Sequence, residues 1–159
     1  MKTIIGIDVG KKGGFCIMRT PQDYDLYATK ETHRVFHDDM KFDVIKICMF
    51  ADLELKVMVI FENPFGYQSN GLNRAIGYLM TEFRFKHWLD DYDFTTPSSW
   101  KKHMNNLIPD MKGNTAKAEY TRLIRDYLDD QTLTDDQCAA YGIAYWGWCK
   151  YNKENNNET

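Results

Sequence analysis

Asp8 closes the apolar run Thr3-Ile4-Ile5-Gly6-Ile7-Asp8-Val9-Gly10, and Glu62 closes another, Val57-Met58-Val59-Ile60-Phe61-Glu62. An ionised carboxylate at the end of a buried strand is costly unless a cation or hydrogen-bond donors compensate it. Two such acids, with Asp136 opening a helical stretch near the C-terminus as a third, are the ligand types a hard divalent ion such as Mg²⁺ requires. The fold has only to bring three separated segments together.

Among the elements that must carry these acids, residues 3–9 and 13–20 read as strands joined by Gly10-Lys11-Lys12-Gly13, a tight-turn signal. A third strand is expected between about 24 and 37. Met40, Val44, Ile47, Cys48 and Phe50 give 39–54 near-helical spacing, and 56–62 returns to a continuous apolar strand. Asn63-Pro64-Phe65-Gly66-Tyr67 must be loop. The pattern predicts a helix over 71–90, a short strand at Phe94-Thr95-Thr96, and a brief helix through Met104 capped by Ser98 or Ser99. It then predicts a helix over 115–128 capped by Thr115, a last helix over 135–151 capped by Thr134, and a polar tail over 152–159. Strands in a meander followed by alternating helices and strands imply an α/β domain over 1–151, with a mixed sheet and helices on its faces.

The chain has 159 residues, 43% hydrophobic and 14% aromatic, which suits one domain with an ordinary core. No apolar run approaches the roughly 18 residues that span a bilayer, and no secretory leader is recognisable at the start. The expectation is a cytoplasmic protein with no membrane partner. Cys16, Cys48, Cys138 and Cys149 lack metal-ligand spacing and read as reduced core thiols. His33 and His37, in a stretch of strand and loop, are not read as ligands, and Trp88, Trp100, Trp146 and Trp148 read as core or dimer-interface residues. Net charge is −3, yet Lys11-Lys12, Arg84/Lys86/His87, Lys101-Lys102-His103 and Lys112/Lys117/Arg122/Arg125 form basic clusters. Such clusters are solvated faces or phosphate contacts.

Several separated motifs carry a resemblance to the RuvC-like Holliday-junction resolvases, which have the ribonuclease H-like fold. Gly6-Ile7-Asp8-Val9-Gly10 matches the end of the family's first strand; Glu62-Asn63-Pro64-Phe65 matches its catalytic Glu followed three residues later by an aromatic. Lys101 in Pro97-Ser98-Ser99-Trp100-Lys101 matches a lysine after the fifth strand, and Lys117 and Arg125 match a pair eight residues apart on the next helix. The match extends over about residues 3–148.

The resemblance implies a mixed five-stranded sheet with helices on both faces, and a homodimer whose two-fold symmetry matches that of four-way or branched DNA. It implies two Mg²⁺ ions, replaceable by Mn²⁺, held by Asp8, Glu62 and Asp136, with Lys117 at the scissile phosphate. Phe65 and Tyr67 are then candidate base-stacking groups, and Lys11, Lys12, Lys101, Lys102, Lys112, Lys117 and Arg125 candidate DNA contacts. The setting would be a bacterial or phage-infected cell. The last motif departs from the pattern: the family helix reads Asp-x-x-Asp-Ala, whereas Asp136-Gln137-Cys138-Ala139-Ala140 has Ala139 where the second Asp belongs. This implies an engineered, inactivated copy or a naturally degenerate one. Two other readings remain: a non-catalytic branched-DNA-binding module, and an ATP-binding protein of the actin-like or sugar-kinase type, whose first strand opens similarly but whose architecture needs two such domains.

Overall fold

A computed structural model describes residues 1–9, 13–28, 57–62 and 89–152. Five strands form one sheet in the order β3-β2-β1-β4-β5: β1 (Thr3–Asp8), β2 (Gly14–Thr20), β3 (Asp23–Ala28), β4 (Val57–Glu62) and β5 (Leu89–Thr95). The meander β1-β2-β3 is antiparallel, whereas β4 runs parallel to β1 and β5 parallel to β4. The expected mixed five-stranded sheet is therefore present. Among the described residues three helices follow β5: α1 (Pro97–Met104), α2 (Lys117–Leu128) and α3 (Asp135–Asn152).

Residues Thr3 to Ile7 of β1 and Val57 to Phe61 of β4 are all buried, in keeping with their central places in the sheet. One face of the sheet, through Ile4, Cys16, Met18, Met58 and Ile60, joins a core with Trp100, Met104, Ile124, Tyr141 and Ile143 of the three helices. The helices expected at 39–54 and over most of 71–90, and the continuation of the third strand over 29–37, lie outside the described residues.

Helix α3 lies against the sheet at backbone distance because glycine removes the obstacle. A Cβ on Gly6 would come 2.4 Å from the Ala144 nitrogen, and one on Gly14 would come 2.2 Å from the Asp136 carbonyl oxygen. Real side chains do not tolerate such approaches, so β1 seats the middle of α3 and the start of β2 seats its first turn.

Thr134 caps α3 as expected: its hydroxyl accepts from the Gln137 N–H while the Gln137 side chain accepts from the Thr134 N–H. The cap of α1 is Thr96, whose hydroxyl accepts from Ser99 N–H, with Pro97 in the first turn; Ser98 and Ser99 already lie inside the helix. Helix α2 begins at Lys117 behind an Ala116 cap that makes no side-chain hydrogen bond. Thr115 instead accepts from the Lys112 N–H, closing the turn before the helix. Strand β5 begins at Leu89, so the helix expected to reach residue 90 does not extend that far. Its acids are held locally and at long range: the Asp93 carboxylate accepts from its neighbour's N–H, from Lys150 and from the Tyr151 hydroxyl.

Candidate active site

Strand periodicity determines which side chains meet. Ile4, Gly6 and Asp8 alternate onto the face covered by α3, as do Gly14, Cys16 and Met18 of β2. In β4 the same face carries Met58, Ile60 and Glu62, with Ile4 paired to Met58 and Gly6 to Ile60. Continuing that register one pair beyond Ile7 and Phe61 sets Asp8 beside Glu62 at the ends of two parallel strands. Asp136, in the first turn of α3, is brought over them by the close approach at Gly14.

The electrostatics record this convergence. The Asp8 carboxyl is pushed well above the ordinary carboxylate value by burial, then by the negative charges of Glu62 and Asp136, and only partly restored by Lys117; it also shares a hydrogen bond with Asp136. Burial raises Glu62 too, against the indole hydrogen bond from Trp100 and the charges of Lys101 and Lys117. Lys117 lies 2.5 Å from Asp135 and 4.0 Å from Asp136. The Tyr120 hydroxyl is pushed up by its own burial and then by Asp8, Glu62, Asp135 and Asp136, so four carboxylates bear on one neighbourhood.

Donor chemistry suits a hard divalent cation. Crowded carboxylates that raise one another's protonation are what a cation among them would relieve. Even so, no group of three or more His, Cys, Asp or Glu side chains among the described residues converges into a ready-made metal site. Ala139 is 2% exposed within the helical core and offers no donor. Asp135, the acid nearest in sequence to Asp136, is engaged by Lys117. The residues thus fit an ion at Asp8 and Asp136, with Glu62 adjoining, better than they fit a second.

The other candidates divide. Lys101 donates to the Thr115 carbonyl at 2.8 Å, tying α1 to the turn before α2. Lys102 and Lys112 are exposed. Arg125, expected as a DNA contact, directs Nε and Nη2 onto the Leu133 carbonyl and so joins α2 to the segment entering α3. Lys11, Lys12, Phe65, Tyr67, His33, His37, Trp88 and Cys48 lie outside the described residues, and Cys16, Cys138 and Cys149 are free and buried. The functional group missed in the sequence is Trp100. It is a core residue, 1% exposed, yet its indole N–H donates to Glu62 Oε1 at 2.7 Å.

A mixed sheet in this order, with acids ending β1 and β4 and a third on the helix laid over them, has the ribonuclease H-like architecture. Within that class the chain has a RuvC-like fold. Thermus thermophilus RuvC superposes with a TM-score of 0.61 at 16% identity, over 91% of this chain and 92% of that one. T. thermophilus RuvC in complex with a Holliday-junction substrate superposes with a TM-score of 0.60 at 18% identity, over 92% of each chain. No family model and no curated protein matches the sequence. No helix among the described residues is long and apolar enough to cross a membrane.

Proposed function

We propose that this chain is a structure-selective endodeoxyribonuclease of the Holliday-junction resolvase type, which binds four-way or branched DNA and hydrolyses phosphodiester bonds with Mg²⁺, or with Mn²⁺ in its place. The observation that carries this reading is the convergence of Asp8, Glu62 and Asp136, with Lys117 beside them, at one end of a RuvC-like sheet. When bound, a divalent ion there would supply an activated water and stabilisation for the leaving oxygen. Asp8 and Asp136 would hold it between β1 and α3, with Glu62 adjoining on the β4 side. Lys117, exposed at the mouth of the cluster, would offset charge on the scissile phosphate. Lys101 steadies the turn before α2 while its charge bears on Glu62. Ala139 takes the place where a second ion would need its acid.

On this reading Phe65 and Tyr67 stack on bases near the junction centre. Lys11, Lys12, Lys102 and Lys112 neutralise phosphates, and Arg125 contributes through the segment it holds rather than by direct contact. The active form is a homodimer acting in the cytoplasm of a bacterial or phage-infected cell. One observation favours a second reading, a branched-DNA-binding module without catalysis: among the described residues the three acids influence one another without closing into a ready-made metal cage, and Ala139 is a buried apolar residue.

The test is cleavage of a synthetic four-way junction, compared with linear duplex, by this chain and by its Ala139→Asp variant in Mg²⁺. The ions in a two-metal site act as a unit, so restoring the acid should raise the cutting rate by orders of magnitude, and adding Asp8→Asn should abolish it. Junction binding without cutting by either protein would favour the binding module. Equal cutting by both would remove position 139 from the site.

A further inference from the structure

Glu62 ends a strand, where a long carboxylate side chain has several rotamers open to it, and a ligand that samples them spends most of its time misplaced. Trp100 restricts it. Indole is a donor without acceptor capacity, so its N–H can engage only an oxygen lone pair, and here it takes Glu62 Oε1 at 2.7 Å across 38 residues of sequence. Trp100 is fixed by its backbone and by two contacts of its ring. Its backbone N–H bonds the Thr96 carbonyl in the first turn of α1, the Tyr120 ring meets it edge-on at 5.2 Å, and its six-membered ring rests on Gly142 of α3. A Cβ at position 142 would come 2.4 Å from Trp100 Cε3, so the glycine is what admits the ring.

We propose that Trp100 is a positioning residue of the acidic centre: seated on Gly142, its indole N–H holds the Glu62 carboxylate in place and leaves Oε2 as the oxygen for a divalent cation. The inference rests on the proposed nuclease reading and assigns to a tryptophan the work that a backbone or carboxylate partner does for many metal ligands. It also gives Gly142 a task at the site, although that residue touches no acid.

The test uses the full chain and Mn²⁺ as probe, with binding followed by electron paramagnetic resonance. Trp100→Phe keeps an aromatic ring at the position and removes the donor, together with the outer ring carbons that rest on Gly142. Its Mn²⁺ dissociation constant should rise about 10- to 100-fold. The thermal midpoint of the cation-free protein reports the packing lost with those carbons, separately from the Mn²⁺ affinity. Trp148→Phe is the control, because the Trp148 indole nitrogen is buried without a hydrogen-bond partner among the described residues; it should bind Mn²⁺ as the parent does. Should Trp100→Phe not fold, the parent's four indole signals in a ¹⁵N–¹H spectrum serve instead. One of them should move in Glu62→Gln, and the same one on adding Mg²⁺. Unchanged affinity in a folded Trp100→Phe protein, or no indole signal responding to Glu62→Gln, overturns the proposal. If the parent binds no Mn²⁺ that Asp8→Asn removes, the metal centre of the nuclease reading fails, and the positioning role fails with it.

Discussion

Asp8 shows what a site of this kind costs the protein that carries it. A carboxyl whose folded value lies above its unfolded value binds more protons folded than unfolded, so stability falls as pH rises through the gap between them. The loss begins near the ordinary carboxylate value of about 4 and is complete once pH passes the raised folded value. Asp8→Asn removes the charge while keeping the shape. It should therefore raise the denaturation midpoint of the cation-free protein at pH 7 and make little difference near pH 3, which urea titrations at the two pH values would check. A lower midpoint at pH 7 would mean that Asp8 is not strained by its neighbours. The same variant should lose cutting in an Ala139→Asp background, so stability and activity would move in opposite directions at a single atom.

At the scale of elements, the first turn of α3 matters most, since it carries Asp136 across the strand ends. Its capping box, Thr134 with Gln137, satisfies two donors that would otherwise face water. Thr134→Ala should cost about 1 kcal/mol, read as a shift in urea midpoint at unchanged slope. This cap was legible in the sequence because both partners are local, and so were β1, β2 and β4, whose apolar runs end abruptly in an acid or a glycine. Strand β5 was not. Its start, Leu89-Asp90-Asp91-Tyr92-Asp93, resembles a solvated helix end, and the Asp93 partners Lys150 and Tyr151 lie 57 and 58 residues away. The caps of α1 and α2 were misplaced for a related reason. Thr96 wins over the serines because Pro97 takes the first helical position, while the Thr115 hydroxyl is spent on Lys112. Trp100 illustrates the limit most clearly. Its composition and burial say core, and only the tertiary pairing with Glu62 says otherwise.

Across the whole molecule the charge is divided: an acidic centre on a chain of net charge −3, with Lys117 beside it and Lys102 and Lys112 exposed. Binding that depends on such lysines releases counterions, so junction affinity should fall by about 10³-fold or more between 50 and 200 mM salt if six or more phosphates are neutralised. Fluorescence anisotropy with a labelled four-way junction and a duplex of equal length measures this. A flat salt dependence, or equal affinity for the two DNAs, would count against a junction-specific role. The parallel register of β1 against β4 carries a consequence for the chain before it is finished. Asp8, Glu62 and Asp136 belong to segments far apart in sequence and meet only through that pairing and the close seat of α3 on Gly6 and Gly14. A growing chain that has just completed its first hairpin carries one of the three acids, and one that has added β4 carries two. On the proposed nuclease reading, the cutting chemistry is thus withheld from every incomplete or unfolded product of synthesis, and arrives only with the last helix.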